Sequence, residues 1–184
     1  MKLSRRLAGA VAVAGLGLLV SRAPAAAATR AEIDAQADAA LAWLHAENPA
    51  AKALAEGAKA VLVFPNVVKA GFGLGGEYGE GVLRRGGEAL GYYSLVSASF
   101  GFQIGAQSYA QALFFMSEEA LAWLERSRGF ELGADASVAV AGSGAGGELD
   151  SSTLSQPIIA FVFGQQGLMA NATIEGSKIS RIER

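Results

Sequence analysis

The segment Phe-Gly-Phe-Gln-Ile-Gly at residues 100–105 decides the fold class, because large apolar residues alternate there with glycine or a polar residue. A period of two is typical of a strand with one buried face. The apolar run Val-Leu-Val-Phe at residues 61–64 predicts a second strand, and residues 168–174 predict a third. The chain has 24 glycines, concentrated between residues 71 and 176, which favour a sheet with kinks and bulges.

Three helices are predicted around these strands. Thr29 and Glu32 match a capping box, and apolar residues at helical spacing extend a first helix to about residue 46. A second helix is predicted at residues 49–56, with proline at its first turn, and a third from Ser117 to near Gly129. We therefore predict an α+β fold: a curved, mostly antiparallel, glycine-rich β-sheet or barrel with the N-terminal helices and one further helix packed on it.

The N-terminus is typical of a removable signal peptide. A basic start that includes Arg5 and Arg6 precedes an uncharged apolar run at residues 7–20, and small residues follow. The run is shorter than the roughly 20 residues that a membrane-spanning helix needs. We expect export to remove residues 1–28 and to leave a single domain at 29–184, either periplasmic or secreted. The paired arginines leave the Tat and Sec routes both open.

Charge and cysteine content exclude several classes of function. The signal peptide takes with it four of the 15 basic residues and none of the 17 acidic ones, so the mature chain has a formal net charge of −6. An acidic domain is a poor general binder of nucleic acid, because such binding rests on many Lys and Arg contacts to phosphates. The absence of cysteine excludes disulfides, thiol nucleophiles and Cys-ligated zinc.

The residue types that usually hold cofactors or metals give no site. Residues 71–76 and 142–147 each match G-x-G-x-x-G, but neither is followed by the helical pattern that a dinucleotide fingerprint requires. His45 is the only histidine and lies at the end of the first predicted helix. We therefore predict no cofactor and no metal. Trp43 and Trp123 lie on apolar helix faces and are predicted to be core residues.

Glu77 and Glu80, with Tyr78 between them, are the one candidate for catalysis. Two carboxylates with different pKa values can hydrolyse glycosidic bonds. No cluster of sugar-stacking aromatic residues accompanies them, so exposed or turn-capping carboxylates are the favoured interpretation. A hydrolase that uses this pair remains a distant third hypothesis, and we assign no catalytic residue.

A group of basic residues falls within one stretch of apolar strand sequence. They are either ordinary surface charges or a local anion patch beside apolar surface, as lipid headgroups require. The group consists of Lys52, Lys59, Lys69, Arg84 and Arg85.

Several blocks of the sequence, in order, resemble one known family, the SYLF domain. The blocks are residues 58–65, 68–73, 75–81, 100–108, 115–121, 132–138, 167–170 and 174–176. The resemblance implies a non-enzymatic phospholipid-binding domain. Eukaryotic relatives recognise phosphoinositides, some yeast relatives bundle actin, and bacterial relatives are typically exported. The chain has no SH3 segment such as eukaryotic members carry, so actin binding is not expected.

The leading hypothesis is therefore an exported phospholipid-binding module for anionic lipid or membrane surfaces. The five basic residues would contact headgroups, and Phe64 and Phe72 would be available to acyl chains. The alternative is a periplasmic protein-interaction or envelope-structural module with a protein partner in the cell envelope. Clustering of the basic side chains beside a hydrophobic groove would favour lipid, and scattering would favour the protein partner.

Overall fold

The structure is a computed structural model that describes residues 28–141, 149, 151–167 and 176–184, with the backbone alone at 72–74 and 99–104. Its helices are α1 Arg30–Glu47, α2 Pro49–Gly57, α3 Glu118–Arg126 and α4 Ser151–Leu154. Its strands are β1 Ala60–Arg85, β2 Glu88–Phe115, β3 Phe130–Glu131, β4 Val138–Ala141, β5 Ile158–Gly167 and β6 Lys178–Ile182. The predicted α+β class is confirmed.

Two very long strands, β1 and β2, form an antiparallel hairpin that dominates the sheet. Gly86 and Gly87 connect them with φ values of 58° and 89°, and two consecutive positive φ angles are the geometry of a type I′ turn. A straight strand of 26 residues would be about 86 Å long. A domain of about 155 residues has a radius of gyration of only about 15 Å. The hairpin must therefore bend, and three register shifts along β1 mark places where it does.

The bend brings distant parts of β1 into contact. A Cβ atom at Gly81 would lie 2.3 Å from the carbonyl oxygen of Val63, and one at Gly79 would lie 2.9 Å from the side chain of Val67. Only glycine allows this approach of backbone to backbone. The predicted curvature is thus confirmed, and its sharpest contact depends on glycine.

The remaining strands extend the curled hairpin. β5 pairs antiparallel with the C-terminal part of β2, and β6 pairs antiparallel with its N-terminal part. β3 adds to β6 in antiparallel orientation, and β4 pairs with β5 in parallel. The six-stranded sheet is therefore mostly antiparallel, as predicted.

Apolar side chains are buried on both faces of the sheet. Leu62, Leu113 and Phe115 belong to the core inside the curl, which α3 covers with Leu121. On the outer face, α1 and α2 pack against β2 and β5 in a second cluster that includes Phe161. The two N-terminal helices are thus fixed against the outside of the sheet, and α1 borders the site described below.

Most predicted elements are confirmed. The capping box at α1 is present, since the Thr29 hydroxyl accepts from the Glu32 amide and the Glu32 carboxylate accepts from the Thr29 amide. Residues 71–76 lie inside β1, where no helix follows them. The predicted strand at 168–174 and the second glycine motif at 142–147 lie outside the described residues. None of the helices in the described part of the chain is both long and apolar enough to cross a membrane.

Candidate functional site

The predicted basic residues do not form one patch of free cations. Arg84 binds two carboxylates on α1, with a nitrogen 3.0 Å from Asp34 and another 2.7 Å from Asp38. Arg85 pairs with Glu118 at 3.0 Å and donates to the backbone carbonyl of Lys59. Both arginines therefore connect elements of the fold. Lys59 itself is exposed, as is Lys52 on α2.

Lys69 is buried rather than exposed, which corrects its placement in a surface patch. Its Nζ lies 2.7 Å from the Glu77 carboxylate, and only 2% and 1% of the two side chains are exposed. The Tyr109 hydroxyl donates to the other Glu77 oxygen at 2.7 Å. Burial and this hydrogen bond raise the pKa of Tyr109. The three side chains form a polar cluster inside the curl, out of reach of a headgroup at the surface.

Two apolar residues, Phe64 and Phe72, were assigned to acyl chains. Phe64 is completely buried in the inner core and is not available at the surface, so its assignment needs correction. The Phe72 side chain lies outside the described residues. Trp43 and Trp123 were predicted to be core residues, and this was wrong, because both are 46% exposed.

Glu77 and Glu80 do not converge. They lie three positions apart on an extended strand, so their side chains leave opposite faces. Glu77 enters the buried cluster, contrary to the predicted exposed or turn-capping role, whereas Glu80 binds Arg184 and accepts from the Tyr78 hydroxyl at 2.6 Å. Burial alone would raise the pKa of Glu80, but the hydrogen bonds from Arg184 and Tyr78 outweigh it and lower that pKa. The geometry gives no site with two facing carboxylates.

A groove lies beside α1. Its first section has a volume of about 510 Å³ and lies between α1, β1, β2 and β5. Trp43 forms one wall and stacks on Phe163 of β5, with ring centroids 5.6 Å apart and planes inclined by 8°. Ala39 and Ala40 of α1 add apolar surface. This section is aromatic and apolar, with polar groups at its edges.

A second section of about 400 Å³ continues the groove toward the start of α1. The two sections share Gln36, Pro65 and Asn66. Tyr78 also lines the second section and is half-exposed, and Glu80 and Arg184 line it as well. The two sections therefore form one groove along the flank of the helix.

Beyond Arg184 lies a smaller, polar cavity of about 230 Å³. It is lined by Arg30 at the first turn of α1 and by Arg181 and Arg184 near the end of the sequence. The Arg30 guanidinium also lies 5.8 Å from the ring centroid of Tyr92, a cation–π contact. The surface along α1 thus changes from aromatic at Trp43 to cationic at Arg30.

This arrangement was not predicted from the sequence. Trp43 and Phe163 come from elements far apart in the chain, and the three arginines come from its two ends. The one available signal was the helical spacing of Arg30, Ile33, Gln36, Ala40 and Trp43, which places them on one side of α1.

The curled sheet thus carries an apolar groove and, at one end of it, a cationic cavity. Residues 96–183, slightly less than half of the chain, match the family model described as Ysc84, Las17-binding protein actin regulator. The Ysc84 model represents the SYLF family, so the resemblance is confirmed for the matched residues. These residues begin within β2 and end just after β6. The family is one of lipid- and actin-binding modules. No curated protein shows a significant match to the chain.

Proposed function

We propose that the protein is an exported, non-enzymatic module that binds anionic phospholipids in the groove beside α1. The observation that carries the proposal is the change of surface character along one helix, from the Trp43–Phe163 stack to Arg30. Thirteen residues of helix separate Trp43 from Arg30, a distance of about 20 Å. A phospholipid has the same arrangement, with an apolar chain at one end and a phosphate at the other.

The apolar section of the groove suits an acyl chain. Cavities that bind small molecules are commonly about 300–1,000 Å³, mostly apolar, with a few placed polar groups. Each methylene that leaves water for such a site contributes about 0.8 kcal/mol. Trp43, supported from behind by the buried Phe163 ring, supplies an aromatic wall against which a chain can pack. Burial of about ten methylene groups would therefore contribute about 8 kcal/mol, against which the entropic cost of binding must be set.

Electrostatics favour binding of individual lipids over adhesion to a charged surface. The mature chain has a net charge of −6, which repels an anionic membrane at long range, although that repulsion is screened beyond about 8 Å at physiological salt. Arg84 and Arg85 are neutralised by carboxylates, and Lys69 is buried. The five predicted basic residues therefore cannot act together. Binding of a single lipid in the groove does not require these five residues to act together.

The test uses two matched tryptophan variants. Trp43 and Trp123 are equally exposed, but Trp43 lies in the groove and Trp123 lies on α3. We expect Trp43→Ala to weaken co-flotation with phosphatidylglycerol vesicles about tenfold and Trp123→Ala to leave it within twofold of wild type. Loss of the aromatic wall removes contact area for the chain, whereas α3 contributes none.

Mass spectrometry of lipid extracted from the purified protein should identify a bound phospholipid. Two equally affected variants, or a wild-type protein with neither bound lipid nor vesicle binding, would contradict the proposal. Specific binding of a cell-envelope protein in the absence of any lipid binding would favour the protein-interaction alternative.

A further inference from the structure

The cavity at the first turn of α1 brings together three guanidinium groups from opposite ends of the sequence. Arg30 belongs to α1, Arg181 to β6, and Arg184 follows β6. A guanidinium presents several N–H donors in a fixed plane that matches the oxygens of a phosphate. Three such groups around about 230 Å³ form a space of the size and chemistry that one phosphate group requires.

Arg181 is held in place by the backbone of the neighbouring strand. It donates to the Leu90 carbonyl at 3.1 Å. A Cβ atom at Gly91 would lie 3.0 to 3.3 Å from three atoms of its guanidinium, so glycine at this position leaves the space that the group occupies. Arg181 is exposed, and its hydrogen bond to Leu90 holds the guanidinium beside the sheet.

The other two arginines are also fixed. Arg30 lies over the Tyr92 ring and donates to the backbone oxygen of Arg184. Arg184 in turn binds the Glu80 carboxylate. The three side chains are thus connected to each other or to the sheet through named contacts.

The charge of the cavity is not fully neutralised by side chains. Glu80 forms an ion pair with Arg184. In the part of the chain that the structure describes, neither Arg30 nor Arg181 forms an ion pair with a carboxylate side chain. Glu183 is the one acidic side chain among the described residues that line the cavity, and it is exposed. The cavity also lies at the N-terminal end of α1, where the helix dipole favours an anion.

We propose that Arg30, Arg181 and Arg184 form a binding site for a phosphate group. Resting on the proposed lipid function, this site takes the phosphate of the phospholipid whose chain lies in the groove, because Arg184 borders both spaces. The bound lipid then has one orientation, with its headgroup at the start of α1 and its chain toward Trp43. The same chemistry would also accept a free phosphate monoester.

The test compares two double variants with the same change in charge. Arg30→Gln/Arg181→Gln removes the two arginines of the cavity that pair with no carboxylate side chain in the described part of the chain, and it leaves the Arg184–Glu80 pair intact. Arg126→Gln/Arg128→Gln removes two exposed arginines at and beyond the end of α3. We expect the cavity variant to bind phosphatidylglycerol vesicles at least tenfold more weakly than the control variant. Uptake of an uncharged long-chain alcohol should be unchanged, because it depends on the apolar section alone.

Two further measurements separate the site from the function. Arg181→Gln alone changes one exposed residue and removes one cation of the cavity, so it should weaken vesicle binding even if the double variant does not fold. Calorimetric titration with glycerol 3-phosphate tests the site without a lipid. If wild-type protein binds glycerol 3-phosphate and the cavity variant does not, the phosphate site is supported. If vesicles do not bind in that case, only the proposed lipid function is contradicted. If the folded cavity variant binds vesicles and glycerol 3-phosphate as the control does, the phosphate site is wrong, and a Trp43→Ala defect would still support the lipid groove.

Discussion

The buried Lys69–Glu77 ion pair allows the sharpest test of the fold. Lys69→Met keeps an unbranched apolar side chain in place and removes the charge. Glu77 then keeps its hydrogen bond from Tyr109 but loses its cation, and water cannot replace it because only 1% of the Glu77 side chain is exposed. The variant therefore leaves a buried carboxylate without a counter-charge.

The expected loss of stability is large. Removing one partner of a buried ion pair costs about 3–5 kcal/mol, out of a total unfolding free energy of about 5–15 kcal/mol. For a domain of this size each kcal/mol corresponds to about 2–4 °C, so the melting temperature should fall by about 6–20 °C. Lys69→Met/Glu77→Gln should recover most of this loss, because the amide is uncharged and its oxygen still accepts from Tyr109.

Urea unfolding at pH 7, followed by tryptophan fluorescence and circular dichroism, measures these differences. Lys59→Met is the matched control, since Lys59 is exposed just before β1, and it should change stability by less than about 0.5 kcal/mol. The reasoning is refuted if Lys69→Met lies within 1 kcal/mol of wild type, or if the double variant is no more stable than the single one.

Two other predictions concern the curl of the sheet and the N-terminus. Gly81→Ala should lower the unfolding free energy by about 1–3 kcal/mol, because the added methyl would lie 2.3 Å from the Val63 carbonyl oxygen, whereas Gly76→Ala should be tolerated, with its nearest atom at 3.7 Å. Urea midpoints of the two variants check this, and equal midpoints would contradict it. The intact mass of the exported protein should lack the predicted signal peptide, and a full-length mass would contradict export with cleavage. Replacement of Arg5 and Arg6 by Lys should block export if the Tat route is used and leave it unchanged if the Sec route is used.

The elements that sequence predicts well are those whose signals are local. The α1 cap depends on Thr29 and Glu32, three residues apart, and was predicted correctly. The alternation at 100–105 identifies a strand without reference to any partner. The length of β1 was underestimated, because its glycines resemble loop residues until the contact of Gly81 with Val63 shows why a bent strand needs them.

The assignment of Lys69 to the surface was wrong because its burial depends on residues that are distant from it in the sequence. A lysine between apolar residues of a strand is usually at the surface, and nothing next to it in sequence indicates burial. Its partner Glu77 is on the same strand but reaches it through the curl, and Tyr109 comes from β2. The burial of a charged residue can be predicted only when the positions of its partners are known, and those follow from the tertiary structure.

The pairing of Arg84 and the formation of the arginine cavity have one structural cause. Asp34 of α1 accepts from Arg84 at 3.0 Å and from the Tyr92 hydroxyl at 2.9 Å. The ion pair neutralises the charge of Arg84. The two bonds also fix the start of α1 over β1 and β2. Because α1 is fixed there, Arg30 lies over the Tyr92 ring, and β6, paired with Tyr92 through Ile182, brings Arg184 to the same place. Arg84, which was assigned to lipid binding from the sequence, thus stabilises the packing of α1 on the sheet. The same packing positions Arg30, which was not assigned a role from the sequence.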